Sequence, residues 1–517
     1  MSKNYYVTTP IYYVNSDPHM GSAYTTIACD VLARFKRLDG YDVFFLTGTD
    51  EHGQKVAEAA AKAGKTPHEF TDFYSAKFRD LATAMNFTNT DFIRTTEPRH
   101  IQAAQAIWKK MIEAGDIYLG KHSGWYAIRD EAYYGEDEIT TTPEGKKIAP
   151  SGAECTWMEE ENYMFALSKW GDRLLKFYEE HPDFIAPESR RNEIISFVKS
   201  GLHDFSVSRT NFTWGVPVPG DEKHVMYVWV DALTNYITAL GYPQSNAQGM
   251  EKFWPADLHM VGKDIIRFHT VYWPAMLMSA GLQPPKRVFA HGWWTVEGQK
   301  MSKSLGNAIS PYDLINTYGV DGTRFVLLSL VPFGNDGDFS HDLATQKINT
   351  LLANGLGNLA QRTLSFIYKN CDGKIPQHNN LNDADLALLK SAQETMLPAV
   401  RKELDRQRFD RAIEAIFETV NAANAYIDVQ APWTLKKEGK IDRMNQVLYV
   451  LAETIRCLSL VMQPFTPAAS AKLLDLLAVN PDDRGFDRIS PEYALKPETS
   501  IPEPQGVFPR IITENVA

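Results

Sequence analysis

The sequence predicts an α/β protein in which a doubly wound parallel sheet, split by an α+β insertion, is followed by an all-α bundle. Two observations predict the sheet: the chain opens on strand, helix and strand, and this alternation resumes near residue 226. Parallel strands need long crossover connections, usually helices, so the alternation indicates parallel pairing. A third observation predicts the bundle, because apolar residues recur at three- and four-residue steps from about 345 to 475.

The opening unit is predicted from residue type and spacing. Residues 5–13 are rich in β-branched and aromatic side chains and are typical of a strand. A helix is predicted within residues 25–38, where an apolar stripe runs until Gly40. Residues 41–47 are then predicted to form a short buried strand.

The middle of the chain differs in composition, and the alternation of strands and helices then resumes. Residues 116–225 combine turn residues with short strand-like runs, which predicts the inserted subdomain. The second half of the sheet is predicted from three strand-like runs, 224–230, 257–263 and 287–293, which alternate with helical runs at 231–240 and 265–278.

Composition limits the possible functions. The 517 residues suggest roughly three domains. With 53 basic and 64 acidic residues the formal net charge is −11, which argues against a generic basic protein that coats nucleic acid. A nucleic-acid partner remains compatible with this charge, because binding requires a local basic face and not a basic average.

The cysteines and the termini favour a cytoplasmic protein. The four cysteines are far apart in the chain: Cys29, Cys155, Cys371 and Cys457. This spacing excludes a local Cys-x-x-Cys pair and favours a reducing compartment. The N-terminus lacks the apolar segment of a signal peptide, and the apolar run 447–465 is interrupted by Glu453 and Arg456. We therefore expect a core helix there and no membrane association.

The first chemical motif lies between the first strand and its helix, in Pro-His-Met-Gly-Ser at residues 18–22. A helix N-terminus after a parallel strand is suited to binding anions. Gly21 would let a nucleotide approach the backbone, and His19 could donate a hydrogen bond to a phosphate. Taken alone, the motif is a weak signal, and an ordinary turn that carries a surface histidine is then the favoured interpretation.

The second motif is Gln-Lys-Met-Ser-Lys-Ser-Leu-Gly-Asn at residues 299–307. Lys300 and Lys303 lie between two glycines, and two ammonium groups on such a loop can neutralise charge that develops on a triphosphate. A solvated basic loop is the alternative. The dinucleotide-binding pattern Gly-x-Gly-x-x-Gly is absent after the first strand, so a nicotinamide or flavin enzyme is not indicated.

Together these two motifs resemble the paired motifs of class I aminoacyl-tRNA synthetases, and within that class the chain resembles the methionyl-tRNA synthetase family. The resemblance covers nearly the whole chain. Its most specific stretches are residues 10–21, 45–53, 124–134, 225–236, 261–277 and 298–307. It implies a Rossmann-like catalytic domain, an anticodon-binding bundle, and an enzyme that uses ATP with Mg²⁺ to form methionyl-adenylate and transfers L-methionine to tRNA(Met).

The resemblance also implies roles at the ATP site. His19 and Gly21 would contact ATP, and Lys300 and Lys303 would hold its phosphates in the transition state. Attack of a carboxylate on the α-phosphate requires positioning and charge neutralisation more than proton transfer. Most class I members carry a second histidine where this chain has Ser22, which would contribute a shorter, neutral hydrogen-bonding group to ATP binding.

The methionine site is implied in the same way. Asp50 would bind the substrate ammonium, although a helix N-cap before the helical stretch from about 54 is an alternative. A thioether side chain needs an apolar pocket with weak donors near sulfur. The resemblance places eight residues there: Ile11, Tyr13, Trp229, Ala232, Leu233, Tyr236, Ile265 and His269. Core packing is the alternative for the apolar members, and a structural role is the alternative for His269.

The remaining expectations concern metal, tRNA and assembly. The range 116–225 is far shorter than the editing insertions of the related leucine, isoleucine and valine enzymes, which argues against those relatives. The resemblance implies a zinc site formed by several cysteines in this insertion in many members, and because this range holds only Cys155 we expect no structural zinc. Asn358 and Arg362 lie four residues apart and, with Trp433, would contact the anticodon, although Trp433 could instead be a core tryptophan. Because the chain has no room for a further module after the bundle, we expect a monomer.

The expected domains follow from these patterns. They are 1–115 for the first half of the catalytic domain, 116–225 for the connective insertion, 226–295 for the second half, 296–345 for the lysine loop and stem-contact region, 346–480 for the anticodon-binding domain and 481–517 for an extended C-terminal tail.

Three other functions fit parts of the pattern. Another class I synthetase of similar size would differ in its amino-acid pocket. A non-catalytic tRNA-binding protein would be expected to lack Lys300, Lys303 or Asp50, all of which are present. A small-molecule adenylyltransferase can share the His-x-Gly turn but would not need the helical module.

Overall fold

The structure is a computed structural model that describes residues 3–130, 132–244, 246–296, 298–300 and 308–512. Its centre is a parallel sheet whose strands are paired in spatial order as Ile185–Ala186, Val288–His291, Leu258–Gly262, Lys3–Thr8, Tyr41–Asp50 and Tyr12–Tyr13, with Asp91–Arg94 also beside Tyr41–Asp50. The predicted α/β fold with a helical C-terminal region is confirmed.

The central sheet is buried on both faces by helices. Val7 and Phe45, on neighbouring strands, are fully buried, as is most of the long helix Met20–Leu38 that joins these strands. A parallel sheet covered on both faces requires such continuous apolar strands. Since all pairs in the sheet are parallel, the carboxyl ends of its strands meet at one edge, where ligands bind in folds of this type.

The helices that surround the sheet are mostly short. They span Met20–Leu38, Gln54–Lys62, Pro67–Ala84, Pro98–Glu113, Gly171–Glu180, Glu188–Lys199, Val228–Leu233, Asn235–Thr238, Gln248–Phe253 and Trp273–Ser279, with single turns of 3₁₀-helix at Leu167–Trp170 and Lys263–Ile265 and a π-helical turn at Phe268–Tyr272.

Three smaller sheets lie outside the central one. The insertion forms an antiparallel sheet of Ala132–Tyr134, Ile117–Ala127, Glu154–Phe165, Lys147–Ile148 and Thr140–Thr141, with Phe205–Ser206 beside Glu154–Phe165. The other two sheets consist of Ser208–Arg209, Asp221–Met226 and Pro217–Val218, and of Gln299–Lys300, Trp294–Val296 and Gly337–Phe339.

Two segments differ from the strand predictions. The run 224–230 was expected in the second half of the parallel sheet, but Asp221–Met226 pairs antiparallel in a small separate sheet and Val228–Leu233 is helical. The β-branched and aromatic residues favour a strand locally; the run is a strand up to Met226, and from Val228 packing overrides that preference. Conversely, Ile185–Ala186 lies within the range 116–225 and yet forms the edge strand of the central sheet.

The C-terminal half is a bundle of helices, as the apolar spacing predicts. Its helices span Pro311–Ser329, His341–Lys347, Asn358–Asn370, Asp383–Lys390, Met396–Leu404, Phe409–Gln430, Pro432–Lys437, Ile441–Met462 and Pro467–Leu476, with π-helical segments at Ile348–Gly357 and Ser391–Thr395 and 3₁₀ turns at Pro481–Asp483, Phe486–Arg488 and Pro491–Tyr493.

The end of the described chain packs more closely than an extended tail would. Phe486, Leu495 and Ile501 are buried against the bundle, and the backbone N–H of Ile375 donates to the carbonyl of Thr499 at 2.9 Å. The prolines keep this segment irregular, while its apolar residues anchor it.

Charged contacts join the bundle to the first helix. Arg324 donates to Asp30 at 2.6 Å and to the carbonyl of Pro464 at 2.8 Å, and both charged side chains are fully buried. Near the end of the same helix, Lys36 pairs with Asp405 at 2.7 Å. The helix that begins at the His-x-Gly motif is therefore fixed at its middle and far end by contacts with the bundle.

Candidate active site

A cavity of about 630 Å³ opens at the carboxyl edge of the central sheet. It lies where the chain leaves four strands of the sheet, at Pro10, Asp50, Gly262 and His291. The structure brings together in it twelve residues that the sequence analysis singled out: Ile11, Tyr13, His19, Gly21, Ser22, Asp50, Trp229, Ala232, Leu233, Tyr236, Ile265 and His269.

His19 is the N-cap of the helix Met20–Leu38. Its Nδ1 accepts a hydrogen bond from the backbone N–H of Gly21 at 3.0 Å. Because Nδ1 acts as an acceptor, the proton of a neutral ring lies on Nε2, which is then the donor that His19 offers to the cavity. The backbone N–H groups of the first turn are themselves bonded, that of Met20 to the Ile309 carbonyl and that of Gly21 to Nδ1, so this end attracts an anion through the helix dipole and Nε2–H.

Ser22 completes a reciprocal capping arrangement with His19. Its Oγ accepts from the backbone N–H of His19 at 3.2 Å and donates to the His19 carbonyl at 2.8 Å. Such a capping box fixes the entry of the chain into the helix. Ser22 thus holds the backbone that carries His19, a role that the sequence analysis missed although the Ser at the third helical position is compatible with it.

Gly21 permits a close approach inside this turn. A Cβ atom at this position would lie 2.8 Å from Cε1 and 3.0 Å from Nδ1 of His19. Contacts that short do not occur between unbonded carbon atoms, so any larger residue would displace the ring. The motif therefore requires glycine here to keep the imidazole on its own helix cap.

Asp50 lies at the end of the strand Tyr41–Asp50 and is buried, with a relative exposure of 6%. The helix that follows, Gln54–Lys62, has Gly53 as its N-cap, so the alternative of Asp50 as a helix cap is wrong. The next residue, Glu51, accepts two hydrogen bonds from Arg94 at 2.7 and 2.9 Å. This bidentate pair anchors the turn that presents Asp50 to the cavity.

The apolar end of the cavity contains a hydrogen-bonded pair, Tyr236 and His269. His269 Nδ1 donates to the carbonyl of Ile265 at 2.9 Å, and its Nε2 lies 2.7 Å from the Tyr236 hydroxyl. Burial lowers the pKa of His269 to about 4, so the ring is neutral near pH 7. Nε2 is then an acceptor, and Tyr236 donates its proton to it.

Aromatic packing forms the walls around this pair. Trp229 stacks on Phe268 with ring centroids 3.8 Å apart, and His259 stacks on Tyr236 at 4.0 Å. Burial lowers the pKa of His259 well below its usual value and raises that of Tyr236, so both are uncharged. This end of the cavity is thus an apolar chamber walled by neutral rings, and Asp50 lies at another part of the cavity lining.

The lysine motif is described in part. The backbone of Lys300 pairs with Thr295 in a short antiparallel ladder beside the cavity, whereas Lys303 lies outside the described residues. After the motif, the carbonyl of Ile309 accepts from the backbone N–H of Met20 at 3.1 Å. This bond attaches the chain that leaves the lysine motif to the first turn of the His-x-Gly helix.

Several lining residues were missed from the sequence. Thr25 and His291 meet in the cavity, with 2.7 Å between Oγ1 and Nε2. Arg129 and Asp130 reach the cavity from the insertion, and Lys55 lies 5.2 Å from the ring centroid of Tyr13. Thr25 lies near the start of a helix and His291 ends a strand, and these positions could have indicated from the sequence that both line the site. The residues of the insertion carry no comparable signal.

The three residues expected to contact an anticodon lie on the bundle. The Arg362 guanidinium is 5.2 Å from the ring centroid of Trp433 and donates to Asp428 at 2.8 Å. Asn358 is exposed one helical turn before Arg362. Trp433 is 42% exposed, so the alternative of a core tryptophan is wrong.

The described residues bear on metal binding and on membrane insertion. Among them, no group of three or more His, Cys, Asp or Glu side chains is placed to hold a metal ion. Cys155, in the insertion, is a buried free thiol. No helix within the described part of the chain is long and apolar enough to cross a membrane.

Comparison with known proteins gives one consistent result. The family model of class I tRNA synthetases (M) matches residues 5–364, and the model of the anticodon binding domain of methionyl tRNA ligase matches residues 375–517. The methionine–tRNA ligase of Mesorhizobium japonicum is 54% identical over 512 residues, which are 99% of this chain and 98% of that protein. That of Rickettsia bellii is 52% identical over 513 residues, 99% of each.

A solved structure agrees with this result. Mycobacterium tuberculosis methionyl-tRNA synthetase in complex with methionyl-adenylate matches with a TM-score of 0.96 and 50% identity, over 98% of this chain and 100% of that one.

Proposed function

The chain belongs to the methionyl-tRNA synthetase family of class I tRNA synthetases, and we propose that its cavity is the site at which methionine and ATP react. The protein is an ATP-dependent ligase that activates methionine and charges tRNA with it. One observation carries the assignment of the site: residues from the first strand to the second half of the sheet, distant in sequence, line a single cavity.

The helix N-terminus is the proposed ATP site. His19 offers Nε2–H to the phosphates, and the positive end of the helix dipole attracts their negative charge. Lys300 and Lys303 supply positive charge as the methionine carboxylate attacks the α-phosphate and pyrophosphate leaves. Mg²⁺ enters with ATP as part of the substrate. In this proposal Ser22 acts through His19, by holding the backbone of the cap.

Asp50 and the apolar chamber are the proposed methionine site. The carboxylate of Asp50 pairs with the substrate ammonium, and the side chain extends towards Trp229, Tyr236 and His269. Because Nδ1–H of His269 is bonded to Ile265 and the Tyr236 proton to Nε2, the chamber presents no ionised group to the sulfur. A charged or strongly hydrated side chain is thereby disfavoured over a thioether.

The helical bundle is the proposed anticodon site. The Arg362 guanidinium and the exposed face of Trp433 form a stacking platform for an unpaired base, with Asn358 nearby as a hydrogen-bonding group. Since one chain contains both this platform and all the cavity residues, a monomer suffices for the reaction, and we propose that the protein acts as a monomer in the cytoplasm.

Substitution of Asp50 tests the site assignment. Asp50→Asn removes the charge opposite the ammonium, so the KM for methionine in ATP–pyrophosphate exchange should rise roughly 10- to 100-fold, while the KM for ATP stays near normal. The matched control is Asp42→Asn, on the same strand but in an exposed pair with Lys252. Equal methionine KM values for the two variants would contradict the assignment.

A further inference from the structure

A buried charged cluster lies behind the methionine chamber. Asp231 is fully buried; its Oδ2 accepts from Nδ1 of His52 at 2.6 Å, and its Oδ1 accepts from Nε2 of His100 at 2.7 Å. Burial would raise the pKa of Asp231, but the two histidines outweigh it and lower this pKa to about 2, so the carboxylate is ionised. His52 and His100 are buried as well.

The cluster joins three elements of the chain, two of which are far apart in sequence from the third. His52 lies two residues after Asp50, in the turn that leaves the strand Tyr41–Asp50. His100 lies on the helix Pro98–Glu113, and Asp231 lies on the short helix Val228–Leu233. The same short helix contributes the chamber residues Trp229, Ala232 and Leu233.

Stability alone is a poor explanation for this cluster. Taking a carboxylate out of water costs several kcal/mol, and well-packed apolar residues often replace a buried ion pair without loss of stability. The short helix that carries Asp231 also contributes Val228, Val230 and Leu233 to an apolar core cluster. Apolar side chains make no directional bonds, so they could not fix the position of the helix Val228–Leu233 relative to the turn after Asp50. The two short hydrogen bonds of Asp231 can do so.

We propose that Asp231, held between His52 and His100, is a positioning residue for methionine recognition. It sets the distance between Asp50, which receives the ammonium, and the apolar wall on Val228–Leu233, which receives the side chain. Methionine must reach both at once, whereas ATP depends on neither. The inference rests on the proposed function of the cavity, since it assumes that Asp50 and this wall bind one substrate.

The test compares His52→Ala with His52→Asn. Alanine removes the donor, whereas the side-chain amide of asparagine occupies nearly the position of Nδ1 and can donate to Asp231. We expect His52→Ala to raise the methionine KM in ATP–pyrophosphate exchange roughly tenfold with little change in the KM for ATP, and His52→Asn to restore most of the loss. Calorimetric titration with methionine alone should show the same order of affinities.

Three further variants separate positioning from a general loss of stability. Glu453→Gln breaks a comparable buried pair with Arg456, in the bundle and away from the cavity, and should lower Tm without moving the methionine KM. If His52→Ala does not fold, His100→Ala against His100→Gln makes the same comparison from the other side of Asp231, since glutamine places its amide near Nε2.

The outcomes are distinct. If His52→Ala lowers Tm but leaves the methionine KM within twofold of the parent, or raises the KM for methionine and ATP equally, the positioning role is wrong. If the unaltered protein shows no methionine-dependent exchange and no methionine binding, the proposed function itself fails.

Discussion

Replacement of Gly21 by alanine tests the geometry of the His-x-Gly turn. The added methyl carbon would lie 2.8 Å from Cε1 of His19, well inside van der Waals contact. The ring must therefore swing away, which breaks the 3.0 Å bond from the Gly21 N–H to Nδ1 and removes Nε2–H from its place at the cavity.

The expected magnitudes separate stability from activity. Loss of the cap costs about 1 kcal/mol, but alanine in place of glycine stabilises a helix by up to about 1 kcal/mol, so the two effects nearly cancel. A misplaced donor to charge that develops in the transition state lowers the rate roughly 100-fold or more. Gly21→Ala should therefore keep its Tm within a few degrees and lose most of its activity.

The assay is methionine-dependent ATP–pyrophosphate exchange together with thermal unfolding. Gly171→Ala is the matched control, because Gly171 is also in the first turn of a helix and has no atom near the position of its missing Cβ. The control should retain full activity. A Gly21→Ala variant whose kcat stays within twofold of the parent would show that activity does not depend on the position of the His19 ring.

Three other predictions follow from the site. Ser22→Ala removes one side of the capping box, so single-turnover formation of adenylate should slow roughly tenfold while methionine affinity is kept; an unchanged rate would remove Ser22 from the positioning of His19. The folded-state pKa of His269 is lowered from 6.5 to about 4, so the unfolded state binds the extra proton first and stability falls as pH drops below 6.5. Urea unfolding at pH 7.5 and 5.5 should show about 1 kcal/mol more loss for the parent than for His269→Gln, and equal losses would contradict the neutral buried ring. Trp433→Ala should lower kcat/KM for tRNA roughly 10- to 100-fold in aminoacylation and leave exchange unchanged, and a loss of exchange would show that its effect is structural.

Much of the fold can be predicted from local patterns, because the spacing of apolar residues follows directly from which face of a helix or strand is buried. The apolar stripe within 25–38 predicts a helix, and it lies within the observed helix Met20–Leu38. The run 224–230 shows where local patterns fail to predict structure. Its residue types favour a strand, but Val228–Leu233 is a helix whose apolar side chains pack in the core, and this packing outweighs the local preference.

The site likewise contains some residues that the sequence predicts and others that only the structure reveals. His19, Gly21 and Asp50 were accessible to sequence reasoning because they lie in short contiguous motifs at strand ends. The contact of Asp231 with His52 joins residues that are 179 positions apart. Such a contact leaves no trace in periodicity or composition, so only the folded structure reveals the cluster that it forms.

The central claim is that this cavity forms methionyl-adenylate. The most direct measurement is amino-acid-dependent ATP–pyrophosphate exchange with methionine, leucine, isoleucine, valine and cysteine tested in parallel. We predict exchange with methionine and little or none with the other four. Exchange with another amino acid in preference to methionine, or none with any of them from folded protein that still binds tRNA, would contradict it.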